Sequence, residues 1–214
     1  MSNSYNLLDK ILNFYYRALK NIKIEDSQWR LWCKRRKTLR EKEEVIIESI
    51  LTQQTNWNNV ERAMNNLKNA RRDSLDAIDK LSLRQLKFLI KPAGFYQIKA
   101  TYLKNVARFF VQNGGIKNVE KIPTSSLRSQ LLKIKGVGPE TADSILLYAF
   151  NRLVFVIDAY TRRFVKEFKI TNAEMNYSEL QQYFMKKIPR NIFFYQKLHA
   201  IIVLYYKNKL KISL

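Results

Sequence analysis

The chain has 214 residues, with 39 lysines and arginines against 18 aspartates and glutamates, a formal charge of +21 at neutral pH. Apolar residues make up 46% of it and aromatics 13%, with only four prolines and five glycines. That composition excludes a disordered chain and suffices for one or two compact domains with a sizeable core. Self-repulsion from the charge surplus opposes a compact monomer, so the surplus points to a polyanionic partner, nucleic acid ahead of an anionic membrane surface.

The first segment, MSNSYNLLDKILNFYYRALK, is interrupted by Asp9, Lys10 and Arg17 and has no small-residue cleavage site behind an apolar block. It does not read as a secretion signal, and a cytoplasmic location is expected. Apolar residues at helical spacing then predict helices through Leu8, Ile11, Leu12 and Tyr15, through Val45, Ile46 and Ile50, through Leu81, Leu86 and Leu89, through Leu103, Val106, Ala107 and Phe110, and through Ile145, Leu146 and Ala149. Breakers at Pro92-Ala-Gly94, Asn113-Gly-Gly115, Pro123, Gly136-Val-Gly138-Pro139 and Pro189 separate them with short loops. Val154 to Ile157 has the composition of a strand, but no second run offers it a partner. The longest apolar runs, Ile145 to Phe150 and Ala200 to Tyr206, fall far short of the roughly 20 residues that span a bilayer. The predicted fold class is all-α.

Cys33 is the only cysteine, so neither a disulfide nor a four-cysteine zinc or iron–sulfur site can form within the chain, and any metal must use oxygen ligands. His199 is the only histidine; with no G-x-S-x-G beside it, it reads as an interior histidine rather than part of a Ser–His–Asp triad. Lys34-Arg35-Arg36-Lys37 and Arg40 form a dense basic run that suits a solvated helix face as well as a phosphate contact.

The segment from Leu127 to Phe150 carries the most chemistry. Leu127 to Leu132 predicts a short helix capped by Thr124 or Ser125, Lys133 to Glu140 a turn, and Thr141 to Phe150 a second helix. Gly136 and Gly138 permit positive φ and close backbone approach, and Pro139 suits the first helical position. Amides at such a helix start can face a phosphate, and the carbonyls of Ile134 and Gly136 can hold a monovalent Na+ or K+ ion. Lys135, Gly136, Val137, Gly138 and Thr141 would then grip a DNA backbone without reading bases. Twenty residues after Gly138, Asp158 stands in Phe155-Val-Ile-Asp-Ala-Tyr-Thr-Arg-Arg163, a single acid between an apolar run and a basic one. Locally it suits the N-cap of a helix starting at Ala159.

IKGVGPETADSILLYAF followed by VFVIDAYTRRF resembles the helix-hairpin-helix DNA glycosylase superfamily, which contains endonuclease III and the adenine-mispair glycosylase. The likeness runs from about Glu43 to Lys207, through IIESILTQQTNW and KPAGFYQIKATYLKNVARFF, and is greatest to the branch of the 3-methyladenine glycosylase III type. The resemblance implies two helical domains holding duplex DNA with a damaged or mispaired base at their interface: residues 34–150, with the hairpin motif at about 127–150, and residues 1–33 with 151–214. It implies a monomer, nucleoid-associated, with no membrane partner.

Two departures refine that expectation. Bifunctional members carry a lysine nucleophile at the second residue after G-V-G, where this chain has Glu140, 18 residues before Asp158 as in the family. A Schiff-base lyase needs an amine, so a monofunctional enzyme is expected; Lys133 and Lys135 are the nearby amines. Leu198-His-Ala-Ile-Ile-Val203 matches a segment that many relatives follow with four cluster-binding cysteines, and here none follows. No iron–sulfur cluster or other cofactor is expected. Lys207, Lys209 and Lys211 read as a solvated helix end with phosphate contact as a secondary role.

Loss of a base passes through an oxocarbenium-like sugar, which a carboxylate near C1′ can stabilise or attack through an activated water. The resemblance gives that role to Asp158. The base must first leave the stack and the gap be filled, which the resemblance assigns to Gln53. An aromatic pocket for a cationic alkylated purine would use Trp29 and Trp32, with Trp57 a further candidate and Glu140 nearby. Arg162, Arg163, Lys166 and the Lys34 to Arg40 run would bind phosphates. Uracil or thymine-mispair, 8-oxoguanine and endonuclease III-like lyase activities, and a non-enzymatic DNA-damage-binding module, are the alternatives.

Overall fold

A computed structural model of the chain describes residues 7–24, 28–172 and 174–208, among which all regular structure is helical and no strand forms. In chain order the helices are α1 (Leu7–Leu19), α2 (Gln28–Trp32), α3 (Leu39–Leu51), α4 (Trp57–Asn69), α5 (Leu75–Lys80), α6 (Leu83–Leu89), a 3-10 turn at Lys91–Ala93, α7 (Tyr96–Gln112), α8 (Ile116–Val119), α9 (Thr124–Leu132), α10 (Pro139–Ser144), a π turn at Ile145–Ala149, α11 (Ala159–Glu167), α12 (Tyr177–Lys187) and α13 (Ile192–Lys207). The chain divides into two compact units, Arg36–Phe150 and Met1–Arg35 with Asn151–Leu214. Lys209 and Lys211 lie outside the described residues.

In the unit Arg36–Phe150, the core is built on α3, where Val45, Ile46, Ile47, Ile50 and Leu51 are fully buried against α7 and the π turn. Its start is set locally: the Thr38 hydroxyl accepts from the Glu41 amide at 3.2 Å and the Glu41 carboxylate accepts from the Thr38 amide at 2.8 Å, a capping box that contributes about 1 kcal/mol. Helix ends expose carbonyls that need donors, and two lysines of α7 supply them. Lys99 donates to the carbonyls of Leu51 and Ala93, each at 2.8 Å, closing α3 and the 3-10 turn. Lys104 donates to Leu81 at 2.7 Å and to the carbonyl of Asp79, closing α5.

The other unit has an aromatic core. Phe14 of α1 lies 4.6 Å from Phe164 of α11 and 5.2 Å from Tyr205 of α13, centroid to centroid, and Phe155 stacks on Phe184 of α12 at 4.9 Å. Such pairs contribute about 0.5–1.5 kcal/mol each beyond their buried area. The Val154 to Ile157 run is buried and extended without a partner strand. Side chains of α12 serve its backbone instead: Gln181 donates to the Phe155 carbonyl at 2.6 Å, and the Tyr177 hydroxyl accepts from the Ile157 amide at 3.4 Å. This ladder of side-chain bonds delivers the chain to the start of α11.

Lys99 is 2% exposed, and burial lowers its ammonium from 10.5 to about 8. A neutral amine has two N–H donors, the number of carbonyls it serves. Between about pH 8 and 10.5 the unfolded chain therefore binds the extra proton, so this lysine adds to stability as pH rises through that window. The difference in urea-unfolding free energy between the protein and its Lys99→Met variant should be flat below pH 8 and grow above it. A difference independent of pH would contradict this assignment.

Candidate functional site

The hairpin is framed by α9 and α10. Helix α9 begins at Thr124, earlier than predicted, and neither Thr124 nor Ser125 caps it. Pro123 holds the N-cap position at φ −55°, and its carbonyl accepts from the Leu127 amide at 2.9 Å. Arg128 of α9 clamps Asp143 of α10 through two parallel bonds, Nε to Oδ1 at 2.7 Å and Nη2 to Oδ2 at 3.0 Å, with Asp143 fully buried. Removing one partner of a buried pair costs roughly 3–5 kcal/mol because a charge is left without compensation. The second helix is not continuous to Phe150 as predicted: α10 passes into the π turn at Ile145, and the Phe150 amide donates back to the Ile145 carbonyl at 3.3 Å.

Of the two hairpin glycines only Gly136 uses left-handed backbone, at φ 103°. A Cβ there would stand 2.1 Å from Cγ of Tyr102, so no other residue fits unless the Tyr102 side chain moves. Gly138 is extended at φ −88° and caps α10, with open space where a side chain would stand. Pro139 occupies the first helical position as predicted. The Val137 side chain is buried, and its amide donates to the Ile134 carbonyl at 3.0 Å, which closes the tight turn. The two carbonyls suggested for a monovalent cation each already accept a bond, Ile134 from Val137 and Gly136 from Gln53. Lys135 is exposed, and its carbonyl accepts from Asn105 at 3.1 Å.

Gln53, expected to fill the gap left by an extruded base, is used internally. Its Nε2 donates to the Gly136 carbonyl and to the Thr141 hydroxyl, both at 3.1 Å, which braces the turn after α3 against the hairpin and keeps Thr141 buried. Its neighbour Gln54 is exposed and has φ 49°. A cleft of about 510 Å³ runs past both glutamines, Gly138, Glu140 and Thr141, with Phe95, Ile98, Lys99 and Tyr102 of the α7 start along it. Phe95, at φ 45° and 63% exposed, is a bulky side chain held at a strained N-cap position facing solvent. Glu140 is exposed on this cleft.

In the other unit Asp158 is the N-cap of α11, with Oδ1 accepting from the Thr161 amide at 2.7 Å. Its second oxygen, Oδ2, lies 3.4 Å from Nε2 of His199. Burial drives this carboxyl upward, but the adjacent His199 imidazole and the Thr161 amide outweigh it and hold Asp158 below the usual carboxylate range. The residue is thus an ionised carboxylate, 9% exposed, with one oxygen spent on structure and the other beside an imidazole.

Trp29 and Trp32, expected to line a base pocket, lie in the interior of their unit. They are 2% and 3% exposed and meet edge to face at 5.9 Å. Trp29 also sets its ring edge on His199 at 5.8 Å. Trp57 donates to Glu61 at 2.8 Å on α4. Arg162 donates to the Met175 carbonyl at 2.9 Å, while Arg163 is exposed and lies over the Tyr206 ring at 4.5 Å. Lys166, Lys34, Arg35 and Arg36 are exposed; Arg40 is paired with buried Asp73 at 2.6 Å.

Sequence reasoning missed His199 as the neighbour of Asp158, and it missed Lys99, Phe95 and Tyr102 along the cleft. For Lys99 a signal existed, since it falls in the apolar stripe of α7 four residues before Leu103. For His199 the apolar neighbours on α13 suggested only burial. Among the described residues no cluster of three or more His, Cys, Asp or Glu side chains is placed to hold a metal ion, and no helix is long and apolar enough to cross a membrane.

Residues 47–190 match the family described as HhH-GPD superfamily base excision DNA repair protein. A Methanocaldococcus jannaschii protein, provisionally named a DNA repair glycosylase, is 47% identical over 167 residues, covering 75% of this chain and 74% of that protein. Endonuclease III of Sulfolobus acidocaldarius is 34% identical over 109 residues, 51% of this chain and 48% of that enzyme. The crystal structure of H. pylori 3-methyladenine DNA glycosylase (MagIII) bound to 1,N6-ethenoadenine aligns with TM-score 0.78 at 26% identity, over 97% of this chain and 100% of that one. A glycine hairpin, a capping aspartate after an apolar run and this breadth of similarity have one common account: the chain belongs to the HhH-GPD superfamily of base excision DNA repair proteins and is a DNA glycosylase of that superfamily.

Proposed function

We propose that the protein is a monofunctional glycosylase that releases alkylated purines such as 3-methyladenine from duplex DNA by hydrolysis, with Asp158 as its reacting carboxylate. The observation that carries this is the state of Asp158: ionised, buried, fixed by the α11 cap through one oxygen, with the other oxygen uncommitted to the backbone. A fixed anion of this kind stabilises positive charge developing at C1′ without reorganising at the moment of bond cleavage.

The similarity to the H. pylori enzyme over the whole chain supports the substrate class. Glu140, in place of the amine a Schiff base needs, supports hydrolysis without strand cleavage. Contact with the DNA backbone is assigned to Lys135, the Gly138 backbone and the first-turn amides of α10, with Arg163 and Lys166 as further cations. Of the two glutamines, Gln53 acts as the brace and the exposed Gln54 takes the gap-filling role. Phe95 and Tyr102 are the aromatic surfaces that the cleft offers to nucleic acid. No cofactor enters the reaction.

On duplexes each carrying one lesion (an alkylated purine, uracil or thymine opposite guanine, 8-oxoguanine), strand breaks should appear for the alkylated purine and only after hot alkali. Breaks without alkali would mean that another amine serves as a lyase and that Glu140 has been misread. Asp158→Asn keeps an acceptor for the Thr161 amide, so its melting temperature and DNA affinity should hold while single-turnover excision falls about 100-fold or more. Lys135→Ala should weaken binding alike for all sequences and reduce the slope of log K against log salt by about one phosphate; an unchanged slope would remove Lys135 from the interface.

A further inference from the structure

Helix α6 carries its apolar residues on two sides. Leu86 and, one turn on, Ile90 at the C-cap are fully buried. Phe88 stands about 200° around the helix from Leu86 and is 77% exposed, so the core of its unit does not account for it. Arg84 lies one turn before Phe88 on the same face. Ala70, Leu81, Phe88 and Leu89 wall a groove of about 390 Å³ whose lining includes Arg72 and Arg84 and no acidic residue. It lies within the unit Arg36–Phe150 and shares no lining residue with the cleft beside Glu140.

Hydrogen bonds hold the elements around this groove in place. The Ser82 hydroxyl accepts from the Gln85 amide at 3.2 Å and Gln85 Oε1 accepts from the Ser82 amide at 3.0 Å, a capping box that fixes the start of α6. Asn66 of α4 donates to the Leu89 carbonyl at 2.9 Å, and Lys104 of α7 to the Leu81 carbonyl at 2.7 Å. After α4 the chain turns at Arg71, φ 54°, and the Arg72 amide donates to the Leu67 carbonyl at 2.8 Å. A groove fixed in this way need not be ordered when a partner arrives. Arg71, Arg72 and Arg84 are all exposed, and among the described residues no carboxylate is paired with them.

We infer that this groove is the docking site for an acidic peptide segment of a partner protein, with one apolar side chain filling the groove against Leu81, Phe88 and Leu89 and flanking carboxylates meeting Arg72 and Arg84. The argument for that occupant is complementarity in both charge and polarity. An exposed aromatic beside arginines is the composition that dominates binding energy at protein interfaces. A DNA backbone would satisfy the guanidiniums but would bring its charge against apolar walls. A symmetric contact with a second copy would set arginine against arginine in a chain of charge +21. An apolar anchor between carboxylates meets neither objection.

A random dodecapeptide library displayed on phage and panned against the intact protein should enrich sequences that combine acidic residues with a leucine, phenylalanine or tryptophan. A fluorescein-labelled peptide of the enriched sequence should bind in an anisotropy titration, and about tenfold more weakly to Phe88→Ala and to Arg84→Glu. Both side chains are exposed, so both variants should keep the wild-type melting temperature and excision rate. No enrichment, enrichment of acidic sequences without an apolar residue, or equal binding to Phe88→Ala would overturn the inference, because attraction to a chain of charge +21 explains such binding without the groove. Phe88→Ala does not change the net charge. Weaker binding of undamaged duplex DNA by this variant would therefore assign the surface to nucleic acid, and a wild-type dimer that it dissociates in sedimentation would assign it to a second copy; either result also overturns the peptide site.

Discussion

A charge taken out of water must be compensated where it stands, and three such charges organise this chain. Asp143 is met by the two-pronged Arg128 guanidinium, Lys99 by two helix-end carbonyls, and Asp158 by a backbone amide and an imidazole. Each would cost several kcal/mol if left alone. Each compensation also fixes geometry: the first clamps α9 to α10, the second ends α3 where the glutamine turn begins, and the third starts α11. The parts of the fold that frame the hairpin, the cleft and the candidate carboxylate are therefore the parts with least freedom to relax.

The same economy is visible at the hairpin. Gly136, Tyr102, Gln53 and Thr141 form a closed set in which a glycine makes room for a ring, and a glutamine ties the glycine's carbonyl to a helix hydroxyl. Gly138 and Lys135, by contrast, stand open. A loop that is rigid behind and bare in front loses little conformational entropy when an anion docks on it. Gln54, Phe95 and Glu140 face solvent here.

What the sequence made legible follows from how local each determinant is. Helical periodicity, Pro139 at a helix start and Asp158 as a cap are decided within a few residues, and they were readable, as was the hairpin. The early start of α9 was not, because proline usually reads as a breaker and here supplies a carbonyl to the first turn. Trp29 and Trp32 at i and i+3 suit a pocket wall or a core, and their burial, with Trp29 edge-on to His199 of α13, was not legible from that spacing. Gln53 and Gln54 are chemically identical in sequence; backbone dihedrals send one inward and leave the other exposed. The Asp158 and His199 pair is separated by 41 positions, beyond any local signal.

The π turn at Ile145–Ala149 has a further meaning. A turn closed from i to i+5 holds one residue more than α geometry requires, and each residue of an α-helix advances the chain by about 100°. Within the turn, side chains are therefore offset by about that angle from where an unbroken α-helix would place them. All ten residues from Thr141 to Phe150 are buried, so the extra residue could be absorbed only as a bulge and not by sliding a face into solvent. The order of side chains through this buried stretch is therefore set by a wider turn and not by the α period alone.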